Sequence, residues 1–314
     1  MSEFQLTTPV AFIIFNRPDT TERVFAEIAR ARPSKLLVVG DGPRANRPGE
    51  AEKVAACRAI ICSVDWPCEV LTNYSDTNLG CKVRISSGLD WIFEHVPEAI
   101  ILEDDCLPHP TFFRFCQELL ELYREDERIG MISGDNYLFG GSEIHKSYYF
   151  TKYSNIWGWA SWRRAWKSYD VTLRHWPEFF QTKGLENLNM TRSELAFWKD
   201  VFNKTFQNKI DTWDHQWLFA NFINNRVSIN PAINLISNIG FGIDATHTID
   251  SNMYANMKTL PMIFPMAHPN FVSINYDADR IVADGSYIKL SLVKRAFRRI
   301  MRDLKKHKIK ITQK

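Results

Sequence analysis

Short apolar runs alternate with amphipathic stretches along the first 125 residues, and that alternation restricts the chain to a small set of folds. "VAFIIF" (10–15), "KLLVVGD" (35–41), "CEVLTN" (68–73) and "EAIILEDD" (98–105) read as strands, the uninterrupted runs among them suiting strands buried on both faces. Between them lie "DTTERVFAEIARAR", "EAEKVAACRAIICSV" and "KVRISSGLDWIFEHV", with "PTFFRFCQELLELYRED" after the last, all of helical period. Asp19 is the expected N-cap of the first helix, with Glu22 completing a capping box and Pro33 beyond its end. Strand and helix in strict turn predict an α/β protein: a doubly wound, mostly parallel sheet with helices on both faces.

After "RIGMISGDN" (128–136) the sequence becomes Trp-rich and irregular. Helices are expected over 193–208 and in "HQWLFANF". No Pro-, Gly- or Ser-rich linker interrupts the chain before residue 280, so residues 1–284 are expected to form one domain, with 285–314 a basic tail and helix. The 45% of hydrophobic residues in 314 suffice for a large core. The formal charge of +3 hides an asymmetry, because residues 289–314 hold eleven Lys or Arg against one acid, leaving about −7 for the rest. Val293, Phe297, Ile300, Met301 and Leu304 fall on one face of a tail helix. Such a helix suits an anionic membrane surface; docking on the protein's own acidic body is the alternative, and no nucleic-acid-binding fold is recognisable.

Six cysteines without CxxC spacing argue against a zinc or redox site and for reduced thiols. The first residues lack a basic signal-peptide region, and no apolar run has the length of a membrane span. The expected location is the cytoplasm, peripheral at the inner face of the membrane.

In open α/β sheets ligands bind beyond the carboxyl ends of the strands, and here those ends read "FNRP", "GDGPR" and "EDD". Three adjacent carboxylates, Glu103, Asp104 and Asp105, repel one another unless a cation sits among them. Their hard oxygens suit Mn²⁺ or Mg²⁺, which typically takes one or two protein carboxylates plus substrate phosphates. The bland alternative is a solvated acidic turn.

"AIILEDDCLPHPTFFRFCQELLELYREDERIGMISGDN" resembles the core of GT-A-fold glycosyltransferases, most closely the inverting N-acetylglucosaminyltransferase I family, whose acidic motif is also Glu-Asp-Asp before a "P-x-F-F" helix start. "IIFNRPDTTERVFAEI", "LLVVGDGPR", "SNIWGWASW", "TWDHQW" and "INPAINLISNIGFGIDATH" continue the resemblance in the family's order over residues 9–250. The resemblance implies a GT-A fold and a metal-dependent inverting glycosyltransferase. Its donor would be a nucleotide sugar, expected to be a UDP-sugar, and its acceptor a saccharide or lipid-linked hydroxyl in cell-surface polysaccharide synthesis. It implies Asp105 as the metal ligand, with Glu103 and Asp104 facing the ribose and donor sugar. Asp41 would accept from uracil, and Arg17 would lie by the ribose and phosphate; the alternatives are a turn aspartate and a salt bridge to Asp19 or Glu22.

Asp214 is the candidate catalytic base, flanked by Trp213 and Trp217, with helix N-capping as its alternative. Trp157, Gly158, Trp159 and Trp162 read as a sugar platform, although Trp162 and Trp166 at i, i+4 also suit a core. Thr246 is expected at the nucleotide sugar, His247 at the diphosphate or in the metal shell, and Lys82 keeps a basic residue near the nucleotide. "SDTNLGCKVRISSG" is shorter than the family's segment there, which leaves the donor sugar open. Two rival readings are a sugar-nucleotide pyrophosphorylase, which needs a glycine-rich loop absent from "FNRPDTTERV", and a non-catalytic saccharide- or membrane-binding module.

Overall fold

The apolar runs fold as strands because their side chains fill layers on two sides: Val10, Phe12 and Ile14 pack into one core, Ala11 and Ile13 into another. The computed structural model describes residues 4–241 and 254–287. Its first half runs β1 (Val10–Ile14), α1 (Pro18–Ala31), β2 (Lys35–Gly40), α2 (Glu50–Ile61), β3 (Glu69–Tyr74), α3 (Cys81–His95), β4 (Glu98–Glu103), β5 (Cys106–Pro108) and α4 (Thr111–Leu122). The second half adds β6 (Ile129–Ser133), β7 (Tyr148–Thr151), β8 (Trp159–Trp162), α5 (Arg163–Trp166), α6 (Trp176–Gln181), α7 (Arg192–Phe206), α8 (Asp214–Ile223), β9 (Val227–Pro231), β10 (Ile236–Asn238) and α9 (Tyr276–Val282).

Eight strands form one sheet in the order β3-β2-β1-β4-β8-β6-β9-β7. β3, β2, β1 and β4 are parallel, β8 runs antiparallel between β4 and β6, β9 is parallel to β6, and β7 closes the edge antiparallel. The protein is therefore mixed α/β with a mostly parallel sheet and helices on both faces, as the alternation predicts. The carboxyl ends of β1, β2, β4 and β6 and the amino end of β8 all lie at one edge. A separate antiparallel pair, β5 with β10, sets Asn238 opposite Cys106 at that edge.

Phe12, Val38, Leu102, Phe112 and Trp162 anchor one core; Val39, Leu89, Ile101, Trp159 and Trp217 anchor the other. Burying each such side chain stabilises the fold by about 1.5–3 kcal/mol. α3 lies close on β2 because Gly88 has no side chain: a Cβ there would sit 2.5 Å from a Val39 methyl. A third cluster gathers Trp176, Trp198, Phe202, Phe219 and Val282 around α6 to α9. Beneath it the buried Lys152 Nζ lies 3.1 Å from Glu194 and 3.9 Å from Asp279, tying α9 to β7 and α7.

Two expectations change. Asp19 does not cap α1: Arg17 is the N-cap residue, with no side-chain cap, and Pro18 opens the helix. Proline's fixed φ and missing N–H suit the first helical position, which moves the start one residue ahead of Asp19. The stretch after residue 136 is also not irregular, since it supplies β7, β8 and β9 to the main sheet. At the far end, α9 continues through a π turn to Tyr287. The basic tail from residue 288 onward lies outside the described residues. Among those described, no helix is long and apolar enough to cross a membrane.

Candidate functional site

β4 ends at Glu103, and Asp104 and Asp105 form the turn that leads into β5. Asp104 points back into the protein, where its Oδ2 accepts the Phe15 N–H at 2.9 Å and joins the ends of β1 and β4. Burial, then the charge of Asp105, pushes its carboxyl up to about 7. Burial pushes Glu103 well above the ordinary carboxylate range too, and Asp105, Asp104 and Asp214 push it further. Asp105 instead meets a cation: Arg17 Nη1 lies 2.8 Å from its Oδ2. The Ile239 N–H donates to the Asp105 carbonyl at 2.8 Å, and Asn238 Nδ2 stands 3.5 Å from Oδ1. Gly240 lies against the pair so closely that a Cβ would overlap the Asp105 carboxylate and come within 2.6 Å of Arg17 Nη1.

The donor chemistry fits a divalent cation of the Mg²⁺ or Mn²⁺ kind. The carboxylate donors are hard oxygens, and burial first, then their mutual repulsion, drives two of them toward the protonated form. Among the described residues no group of three or more His, Cys, Asp or Glu is arranged to hold a metal. The fit is thus with an ion that takes one carboxylate, Asp105, and fills its shell from the ligand's own oxygens.

Asp214 is the first residue of α8, whose N-cap is Trp213, and it makes no capping bond. The Thr212 hydroxyl donates to its Oδ1. The capping alternative therefore does not hold. Cys81, at the start of α3, marks where the acids converge. Its thiol is pushed up to about 12 by burial and then by Glu103, Asp214, Asp211 and Asp41, which come from three different segments. Sequence reading missed Cys81 and Asp211, since neither belongs to a motif.

Asp41 is committed to structure. Its carboxylate accepts from the backbone N–H groups of Gly42, Leu79 and Gly80 and from Asn78 Nδ2, at 2.9 to 3.1 Å. Those donors fill its roughly four lone-pair sites, so the loop-organising alternative, rather than a free uracil acceptor, describes what the side chain does here. Glu50, also missed, is the matching device one loop over, accepting from Asn16 Nδ2 at 2.9 Å and the Arg44 N–H at 2.6 Å. It joins the loops after β1 and β2. Lys82 Nζ donates to Asn208 Oδ1 at 2.7 Å.

The expected platform divides. Trp159 and Trp162 are core residues, and Trp159 packs against Trp166, Trp213 and Trp217 with its surface covered. Trp159 therefore has no face to offer a sugar; a strand residue on the inner side of β8 must point into the core. Gly158 is required by its φ of +62° and by Ile236 and Leu102, which press on it. Trp157 alone of the four stays partly exposed. Thr246 and His247 lie outside the described residues.

No family model matches the chain, and no curated protein matches it. Among solved structures the chain is similar to a UDP-glucose pyrophosphorylase complexed with UDP-glucose. The TM-score is 0.35, with 10% identity, and the match covers 72% of this chain and 90% of that one. It is also similar to an apo UDP-glucose pyrophosphorylase, at a TM-score of 0.33 and 10% identity over 71% of this chain and 90% of that one.

Proposed function

We propose that this chain is an inverting, metal-dependent glycosyltransferase, moving a sugar from a nucleotide-sugar donor, a UDP-sugar in our reading, to a hydroxyl of a saccharide or lipid-linked acceptor. The observation that carries the proposal is Asp214: a carboxylate at a helix start, unused for capping, beside the acidic end of β4. In the reaction the acceptor oxygen attacks the anomeric carbon and the bond from that carbon to the diphosphate oxygen breaks. The electron pair stays on the diphosphate, and the hydroxyl proton passes to the Asp214 carboxylate. Asp105 would hold Mn²⁺ or Mg²⁺, which when bound offsets the charge developing on the leaving diphosphate. Arg17, already against Asp105, adds a fixed positive charge on the same side. Asp104 and Glu50 hold the loops that carry these groups.

The pyrophosphorylase alternative needs a glycine-rich phosphate loop after the first strand, and the chain there runs from Phe15 through Asn16 and Arg17 straight into α1 at Pro18. The test is UDP titration with and without Mn²⁺, followed by turnover over a panel of nucleotide sugars. Asp214→Asn should keep metal-dependent UDP affinity and lose at least a hundredfold in transfer; full turnover by that variant, or metal-indifferent UDP binding, sinks the proposal. For the tail we propose contact with an anionic membrane surface. Because α9 and Ala283 pack into the third cluster, the chain should be cut after Tyr287 and not before. Equal binding of cut and full chains to anionic vesicles would reject that contact.

A further inference from the structure

Asn238 is the last residue of β10, and the pairing of β10 with β5 sets it opposite Cys106, the residue after Asp105. Its side chain is polar and covered, with 6% of the residue exposed, so its bonds must be found inside the protein. They run in two directions. Its Oδ1 accepts the Gly240 N–H at 2.9 Å, and its main-chain carbonyl accepts the Asn256 N–H at 3.0 Å. Gly240 and Asn256, on either side of residues 242–253, are thereby fastened to one residue.

The Gly240 bond also settles which way the amide is turned. A backbone N–H can only donate, so the atom that meets Gly240 is the oxygen and the other end of the amide is the NH₂. That end faces the metal-ligand candidate, with Nδ2 3.5 Å from Asp105 Oδ1. Asp105 is therefore flanked by donors on both oxygens: Arg17 Nη1 lies 2.8 Å from Oδ2, and the Asn238 amide and the Cys106 thiol each lie 3.5 Å from Oδ1. The Ile239 N–H holds the carbonyl of the same residue at 2.8 Å. A carboxylate on a turn loses side-chain freedom when it takes a cation, and donors fixed to the fold remove that cost beforehand.

We infer that Asn238 is a positioning residue for Asp105: its amide turns the carboxylate toward a divalent cation and ties that orientation to the chain at Gly240. The two flanking donors differ in what they do to the charge. Arg17 is itself a cation and opposes a second one, whereas the neutral amide directs the carboxylate and leaves its negative charge in place. Carboxylates that bind metal ions are themselves held by hydrogen bonds, and loss of such a partner typically costs about 10–100-fold in metal affinity. The inference rests on the reading of Asp105 as the metal ligand.

The experiment is titration of Mn²⁺ into the full chain, with and without UDP, followed by the electron paramagnetic resonance of the free ion. Asn238→Ala should bind Mn²⁺ at least tenfold more weakly than the parent. Asn238→Asp keeps the acceptor for Gly240 and puts a carboxylate opposite Asp105 Oδ1, so it should bind at least threefold more tightly. Ser237→Ala, on the other face of β10, should match the parent. Shifts in opposite directions cannot come from a residue that only fastens the chain; that role would lower the urea midpoint and leave the Mn²⁺ affinity of the folded protein alone. Parent-like affinity in both Asn238 variants, or equal weakening in both, overturns the positioning role and leaves the metal reading standing. No Mn²⁺ binding by the parent even with UDP, or binding that Asp105→Ala does not weaken, overturns the metal reading and the positioning role with it. If Asn238→Ala fails to fold by circular dichroism, Asn238→Asp decides: tighter binding supports the role, and parent-like or weaker binding overturns it.

Discussion

Arg17 Nη1 lies 2.8 Å from Asp105 Oδ2, although the two residues are 88 apart in sequence. They meet because β1 and β4 are adjacent parallel strands whose ends open on the same edge. Gly240 closes over the pair with no room for a methyl group. Gly240→Ala should therefore separate Arg17 from Asp105 and lower metal-dependent UDP affinity by at least tenfold. Calorimetric titration with Mn²⁺ checks this, and unchanged affinity would mean that the pair plays no part in holding the nucleotide.

Much of the frame is legible in the sequence. Each strand from β1 to β3 is followed by its own helix, and β4 by the short β5 and then α4, so local periodicity carries most of the pattern. β7 and β8 are four residues long, aromatic, and pair across large sequence separations, with β8 inserted antiparallel between β4 and β6. Nothing local distinguishes "WASW" from a loop. In the site, the acidic strand end and Asp214 stood out because charge follows an apolar run or adjoins tryptophan. The occupation of Asp41 by residues 78–80 was invisible, as was Glu50 bridging two loops, because a hydrogen bond between distant segments leaves no periodic trace. An exposed and a buried tryptophan read alike in sequence; Trp159 opens β8 and packs inward, whereas Trp157 precedes the turn at Gly158, where φ is +62°.

Asp41 offers a clean separation of roles. Replacing it with Ala removes the acceptor for the Leu79 and Gly80 N–H groups and should destabilise the protein by about 1–3 kcal/mol, read from urea unfolding. Asn, which keeps one carbonyl oxygen, should recover part of that loss. If both variants unfold like the parent but lose UDP affinity, the residue serves the ligand and not the loop.

Packing of α3 on β2 makes a different demand. A Cβ at Gly88 would lie 2.5 Å from Val39 Cγ1 and 3.2 Å from Cγ2, and Val39 is fully buried with nowhere to shift. Gly88→Ala should lower stability by about 1–3 kcal/mol despite the better helix propensity of alanine. Val39→Ala in the same chain should relieve part of the clash, so the double variant is expected to be more stable than the sum of the two single losses. Strict additivity in thermal unfolding would show that the helix has moved away instead.

Glu50 links stability to pH with a sign that can be worked out. Its hydrogen bonds from the Arg44 side chain, aided by the Arg44 N–H and Asn16, hold the carboxyl down at about 2, against an ordinary value near 4.3 in the unfolded chain. A depressed carboxyl stabilises the fold fully above the unfolded value, and the contribution is lost as pH falls from about 4 through 2. Arg44 is partly open to solvent, so the contribution is on the order of 1–2 kcal/mol and not the full shift. Glu50→Gln should therefore be less stable than the parent at pH 6, and the gap between them should close by pH 2. Because Asn16 adjoins Arg17, the same variant should also weaken UDP binding at pH 7 several-fold. A gap in urea midpoint that stays constant from pH 6 to pH 2 would show that Glu50 titrates normally and that the two loops are joined by something else.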